Sequence, residues 1–173
     1  MTAVTPKGRI ASCSLYRPRG SPSNPTKMDY YIHIVFPAEA FQTPEGKRFK
    51  AAVDKAAQAF VSDFAIKVKR GQFRYPIRPV DPAKAAEKGW GEVAFDMNLK
   101  SGQDFHPKVV DINLDPVLDS EEAYPGRWVR VSTAFYTYPA GNGERFAGSR
   151  GDGSEFGDVG GLASDDDDLN DLM

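Results

Sequence analysis

The alternation of apolar and polar positions divides the chain into short segments. Residues 9–17 (RIASCSLYR) predict a modest strand in which Ile10, Ser12, Ser14 and Tyr16 share one face. Residues 29–36 (DYYIHIVF) concentrate β-branched and aromatic side chains and predict a strong strand. Between them RPRGSPSNPTK gathers three prolines with Gly, Ser and Asn, which predicts a loop, made basic by Arg17, Arg19 and Lys27. Thr43 has the form of a helix N-cap, with Pro44 in the first turn. Phe49, Val53, Ala56, Ala57, Phe60, Val61 and Phe64 then recur at helical spacing, so one long helix should turn an apolar stripe toward a core.

Further along, Ile66 and Val68 alternate with Lys67 and Lys69, a short strand with a basic outer face. Residues 81–88 allow a turn or two of helix before Gly89. Residues 92–99 alternate cleanly, with Val93, Phe95, Met97 and Leu99 inward and Glu92, Ala94, Asp96 and Asn98 outward. A short apolar strand is expected at 109–112, and the longest strand of the chain at 127–138 (RWVRVSTAFYTY). Five or six short strands around one main helix predict a mainly β fold, a compact barrel or sandwich. Beyond Pro139 the character changes, for eight of the 16 glycines fall within 141–161 and there is little to bury. Residues 1–140 are therefore expected to form the domain, and 141–173 a Gly-rich linker with a disordered acidic tail.

Charge sharpens this division. The 173 residues carry 22 Lys and Arg against 24 Asp and Glu, a formal net charge of -2. Eight of the acids lie in residues 151–173, which contain no Lys or Arg, leaving 16 acids against 22 bases and a surplus of six positive charges in the body. A basic body with an acidic tail points to a nucleic-acid-facing surface or an interaction tail; a tail that only aids solubility is the plain alternative. The chain has no apolar run near the roughly 20 residues of a membrane span, and no apolar core of a signal peptide near its start. One cysteine, Cys13, and two histidines, His33 and His106, argue against an internal disulfide and a zinc site.

Two clusters carry candidate chemistry. On the last predicted strand Val129, Val131 and Phe135 suit a core, while Trp128, Arg130, Ser132, Ala134, Tyr136 and Tyr138 share the opposite face. Rings and arginine on one strand face suit unpaired bases, which stack on flat side chains while cations neutralise phosphate; rings packed beneath a loop are the competing explanation. Lys67, Lys69, Arg70, Phe73, Arg74, Tyr75 and Arg78 form the second cluster, interleaving bases with rings. At the end, Asp165, Asp166, Asp167, Asp168 and Asp171 accompany Leu169, Leu172 and Met173. These offer a partner's basic-rimmed apolar pocket a handle, or compete for the chain's own basic groove. Catalytic patterns are weaker. Asp96, Asp104, Asp111, Asp115 and Asp119 could be imagined as the carboxylates of a metal-dependent nuclease or resolvase, although most such acids serve turns. There is no P-loop, and the glycines of AGNGERFAGSRGDG precede no helix. An acidic-tailed structural or chaperone-like interaction protein is a third class.

Taken in order, RIASCSLYR, DYYIHIVF, EGKRFKAAVDKAAQAF, YPIRPVD, EVAFDMNLKS, PKVVD and YPGRWVRVSTAFYTYPAGNG resemble the single-stranded DNA-binding proteins of tailed bacteriophages. The likeness is to a family with an OB-like barrel and an acidic C-terminus, and runs from about Gly8 to Gly143. It departs at Pro79-Val80-Asp81-Pro82, where a short acidic, Gly-containing turn is expected. The resemblance implies a five-stranded OB-type barrel that binds single-stranded DNA without strong sequence preference and uses no cofactor or catalytic residue. Trp128, Arg130, Tyr136 and Tyr138 would contact DNA, with Lys67, Lys69, Arg70, Phe73, Arg74 and Tyr75 as the neighbouring wall. It further implies that the tail recruits replication or recombination proteins in the cytoplasm of an infected bacterium. A homodimer is compatible with it.

Overall fold

Residues 2–21, 24–63, 75–135, 138–140, 143–145 and 159–162 are described in the computed structural model, which is mainly β with one main helix. The chain starts with β1 (Thr2–Val4), β2 (Gly8–Ser21) and β3 (Asn24–Phe36). A short 3-10 turn at Ala38–Gln42 leads into α1 (Pro44–Asp63), where the Thr43 hydroxyl accepts from the Gly46 N–H at 3.0 Å, the cap expected of it. Then come β4 (Arg78–Pro79), α2 (Pro82–Glu87), β5 (Phe95–Gly102) and β6 (Val109–Asp111). The rest is short: β7 (Trp128–Val129), β8 (Ser132–Ala134), β9 (Tyr138–Ala140), β10 (Gly143–Arg145) and β11 (Val159–Leu162).

Five strands form one sheet in the order β4-β5-β3-β2-β7, all neighbours antiparallel. Among the described residues this sheet does not close on itself, since β4 and β7 are its two edges. Direct partners in a ladder share a face, so the register assigns the sides. Ile34 faces Ile10 and Met97, and Ile32 faces Cys13 and Leu99; with Phe36 these are the core side. Phe49 and Val53 of α1, together with Val129, Val131 and Phe135, complete that core. Burying the side chains fully should contribute about 1.5–3 kcal/mol each, which explains why the apolar alternation was so readable here.

Three elements differ from the sequence expectation. The proline-rich stretch expected as a loop is instead the distal part of a β2–β3 hairpin, paired Arg19↔Asp29, Gly20↔Met28 and Ser21↔Asn24. The register shifts between Ser14 and Arg19, which is how Pro18 is accommodated without donating to the ladder. Gly20 is required there, because a Cβ would lie 2.3 Å from the Pro25 carbonyl oxygen. The expected longest strand, 127–138, is broken. Arg9 pairs with Trp128, but after Val129 the chain passes from β2 to β1, pairing Val4↔Ser132 and Thr2↔Ala134. Thr5 occupies the break, with its N–H donating to the Val131 carbonyl at 2.9 Å and its hydroxyl accepting from the Val131 N–H at 3.0 Å. Finally, the strand expected from Glu92 begins at Phe95, and Ile112, expected inside a strand, is 64% exposed. The strand predicted at 66–69 lies outside the described residues, whereas β11 lies parallel to β6 and β9 pairs with β10.

Candidate nucleic-acid interface

The sheet's other side carries the polar half of the alternation. From one end to the other its rows are Arg9, Val35 and Asp96; His33 and Asn98; Tyr31 and Lys100; then Asp29 and Gly102. At about 3.3 Å per residue, the six steps from Val35 to Asp29 span roughly 20 Å. Past Asp29 the hairpin continues without β5 beside it and exposes Arg17, Arg19 and Lys27. The basic segment foreseen as a loop is thus a two-stranded arm extending this face.

At the opposite end, α2 covers part of the sheet. The Asp81 carboxylate accepts from the Ala83 N–H at 2.9 Å and caps the helix, and Ala85 packs with Val35 and Val93. Val93 therefore serves a small second cluster, not the main core toward which alternation pointed it. Asp96 is outward as expected, yet only 8% exposed, with β4 beside it and its carboxylate held by Arg78 and His33. Arg78 grips it by donating from Nε to Oδ1 at 2.9 Å and from Nη2 to Oδ2 at 2.8 Å, and His33 Nε2 lies 2.7 Å from the same Oδ2. Burial alone would raise the Asp96 carboxyl; His33 and Arg78 outweigh it and hold the carboxyl below its ordinary value.

Between α2 and the sheet lies a cleft of about 630 Å³, lined by Ala11, Ser12, His33, Arg78, Pro79, Val80, Asp81, Lys84, Lys88, Trp90 and Asp96. The register shift between Ile10 and Ser12 lets both Ala11 and Ser12 reach it. Trp90 meets His33 edge-on, with ring centroids 5.3 Å apart at 85°, and carries the Lys88 ammonium 5.5 Å from its centroid. Arg9 links the two tryptophans. Its guanidinium donates to the Trp90 carbonyl and lies 5.7 Å from the centroid of the Trp128 ring. Gly91, at φ +73°, leaves room for it, since a Cβ would approach Arg9 Nη2 to 3.2 Å.

The sequence-predicted residues are distributed differently from that arrangement. Trp128 is half-buried under Arg9, on the same face as the cleft, and its indole N–H is buried without an acceptor among the described residues. Arg130 is half-buried at the break between β7 and β8. Ser132 and Ala134, expected on an open face with Trp128, are both buried, so from Val131 to Phe135 the chain is enclosed on both sides. Tyr75 is half-buried against the core; its hydroxyl donates to Asp54 Oδ1 and Lys50 Nζ sits 6.0 Å from its ring centroid. Burial and the Asp54 carboxylate push the Tyr75 phenol well above its usual value. Tyr138 belongs to β9, opposite Arg145. Lys67, Lys69, Arg70, Phe73, Arg74, Tyr136 and the tail residues Asp165, Asp166, Asp167, Asp168, Leu169, Asp171, Leu172 and Met173 lie outside the described residues.

The carboxylate set does not assemble. Asp96 is held by Arg78 and His33, Asp111 accepts from the N–H groups of Asn113 and Asp115 at 2.8 and 3.0 Å, and Asp119 accepts from the Glu121 N–H at 2.9 Å. Among the described residues there is no group of three or more His, Cys, Asp or Glu able to hold a metal ion. Sequence reasoning missed the α2 cleft, although Lys84 and Lys88 at a four-residue spacing before Trp90 were a readable sign of it.

An open sheet face with cations at both ends and rings between them defines a surface for a polyanion with stackable groups, the form of a single-stranded nucleic-acid-binding domain. Residues 1–161 match the family described as Enterobacter phage Enc34, ssDNA-binding protein, and the chain belongs to that family. No curated protein matches it. The single-stranded DNA-binding protein of bacteriophage Enc34, solved in complex with ssDNA, superposes with a TM-score of 0.64 at 16% identity, covering 86% of this chain and 81% of that one. A second structure of the Enc34 protein covers 98% of this chain and 88% of its own, with a TM-score of 0.59 at 15% identity. The single-stranded DNA-binding protein gp2.5 of bacteriophage T7 gives 0.55 at 14% identity, covering 96% and 95%. Among the described residues no helix is long and apolar enough to cross a membrane.

Proposed function

We propose that this chain is a non-catalytic, sequence-non-specific single-stranded DNA-binding protein of phage DNA replication and recombination, with an OB-type body. The observation that carries the proposal is the polar sheet face running from the Arg9–Trp128 stack and α2 to the basic hairpin arm, on a chain of this family. Tyr31, His33 and Lys100 lie along the path, and Trp128 and Arg130 border it. By its sequence the chain also offers Lys67, Lys69, Arg70, Phe73 and Arg74 as further cations and rings for DNA, and Tyr136 and Tyr138 as further stacking partners. The tail recruits replication or recombination proteins through Leu169, Leu172 and Met173 among its aspartates, and its charge competes for the DNA path.

Titration with oligo-dT, followed by anisotropy of a labelled oligonucleotide, tests this. Stacking supplies about 1–3 kcal/mol per base, and an OB fold covers roughly 4–16 nucleotides. With about five phosphates neutralised at roughly 0.7 each, the log-log salt slope is near −3.5. Affinity that stays flat from low to moderate salt would sink the proposal.

A further inference from the structure

We propose that the cleft between α2 and the sheet seats one unstacked nucleotide of the bound strand, its base against Trp90 and its phosphate on Lys84 and Lys88. This rests on the single-stranded DNA function above and adds to it a discrete pocket beside the open face. The volume of about 630 Å³ falls within the roughly 300–1,000 Å³ of small-ligand pockets.

The charges of the lining decide what it can hold. Both carboxylates are already engaged, Asp81 by the Ala83 N–H and Asp96 by Arg78 and His33. Lys84 and Lys88 have no carboxylate partner among the described residues, so the free charge of the cleft is positive. Arg78 spends Nε and Nη2 on Asp96, which fixes the plane of its guanidinium at the wall while the side chain stays 53% exposed. A positive cleft with fixed donors calls for an anion.

Trp90 decides the rest of the ligand. The Lys88 ammonium rests over its ring, a cation–π contact that any flat π system can replace. A base sliding onto the indole displaces the ammonium, and the displaced ammonium is then free for the phosphate of the same nucleotide. One movement thus exchanges a cation–π contact for a stack and an ion pair. A simple anion would gain only the second, and an apolar ligand only the first. His33, edge-on to Trp90 and bonded to Asp96, keeps the indole from turning away.

The chain has two tryptophans, so Trp128→Phe leaves Trp90 as the only indole reporter. Saturating that protein with oligo-dT should quench its emission, while anisotropy reports binding independently. Lys84→Ala with Lys88→Ala should weaken oligo-dT binding about ten-fold and make the salt slope shallower by about 0.7, because the two lysines neutralise one phosphate between them. Both lysines are exposed, so the thermal midpoint should stay put. Trp90→Leu should weaken binding by a similar factor, and Trp90→Phe should restore most of it. If W128F does not fold, Trp90→Phe in the otherwise native chain must show less quenching than the parent. Unchanged Trp90 emission with DNA bound, or native affinity in the double lysine variant, overturns the nucleotide seat and leaves the sheet-face function standing. No binding by anisotropy at low salt overturns the function itself.

Discussion

Asp96 shows how one residue can be both outward-facing and structural. Its carboxylate is gripped by Arg78 of β4 and by His33, so Asp96→Asn removes the charge that both partners face. Breaking a buried pair costs roughly 3–5 kcal/mol, and because Arg78 is half exposed the loss here should be about 2 kcal/mol. Its pH dependence has a fixed sign. The folded carboxyl titrates below its unfolded value of about 3.9, so its stabilising contribution is complete above that pH and is lost as pH falls through the lower folded value. Acid unfolding monitored by circular dichroism should therefore be steeper below pH of about 4 for the parent than for D96N. Tyr75 offers a contrasting case. Its hydroxyl donates to Asp54, so Tyr75→Phe should lower stability by about 1 kcal/mol in denaturant titration and leave oligo-dT affinity unchanged. A fall in affinity without a fall in stability would return Tyr75 to the DNA surface. At this scale the sequence was informative about face and silent about cover. Asp96 and Trp128 were both placed on the correct side of their strands, but nothing in alternation announces that Arg78 and His33 close on the one or that Arg9 lies over the other.

The elements divide in the same way. Strands and helices buried on one face were legible because burial imposes period: Ile32, Ile34 and Phe36 on β3, Met97 and Leu99 on β5, Phe49 and Val53 on α1. The hairpin arm was not, because proline and glycine ordinarily mark turns, and here the stretch that holds them pairs across the hairpin as strand. The last strand was misjudged for a related reason. A run of β-formers from Trp128 to Tyr136 conceals a change of partner, which Thr5 marks from the far end of the chain. Two outcomes follow for the arm. Gly20→Ala should force it open at the Pro25 carbonyl, raising amide exchange from Arg17 to Lys27 while costing only about 1 kcal/mol of global stability, since no core residue moves. Replacing Arg17, Arg19 and Lys27 together by Ser should leave the fold intact and make the salt slope of oligo-dT binding shallower by about 2, three contacts at roughly 0.7 each. An unchanged slope would remove the arm from the DNA path.

At the scale of the whole molecule, the net charge of -2 joins a body with six surplus positive charges to 23 residues holding eight acids. That partition was fully legible in the sequence, because counting needs no fold. What it could not show is that part of the acidic segment has a place on the body: β11 lies parallel to β6, with Val159 opposite Val109 and Leu162 opposite Asp111. Two truncations separate charge from docking. Removing 163–173 takes away five acids and keeps β11, whereas removing 151–173 takes away all eight acids and β11 with them. If the tail competes as a polyanion, both should tighten oligo-dT binding at low salt, the longer one more. The gain should vanish near 1 M salt, where the Debye length falls to about 3 Å from about 10 Å at 0.1 M. Stability should respond only to the longer truncation, because it alone strips a strand from the β6 edge. Equal affinity for all three proteins at low salt would end the competition hypothesis, leaving Leu169, Leu172 and Met173 to act through partner proteins alone.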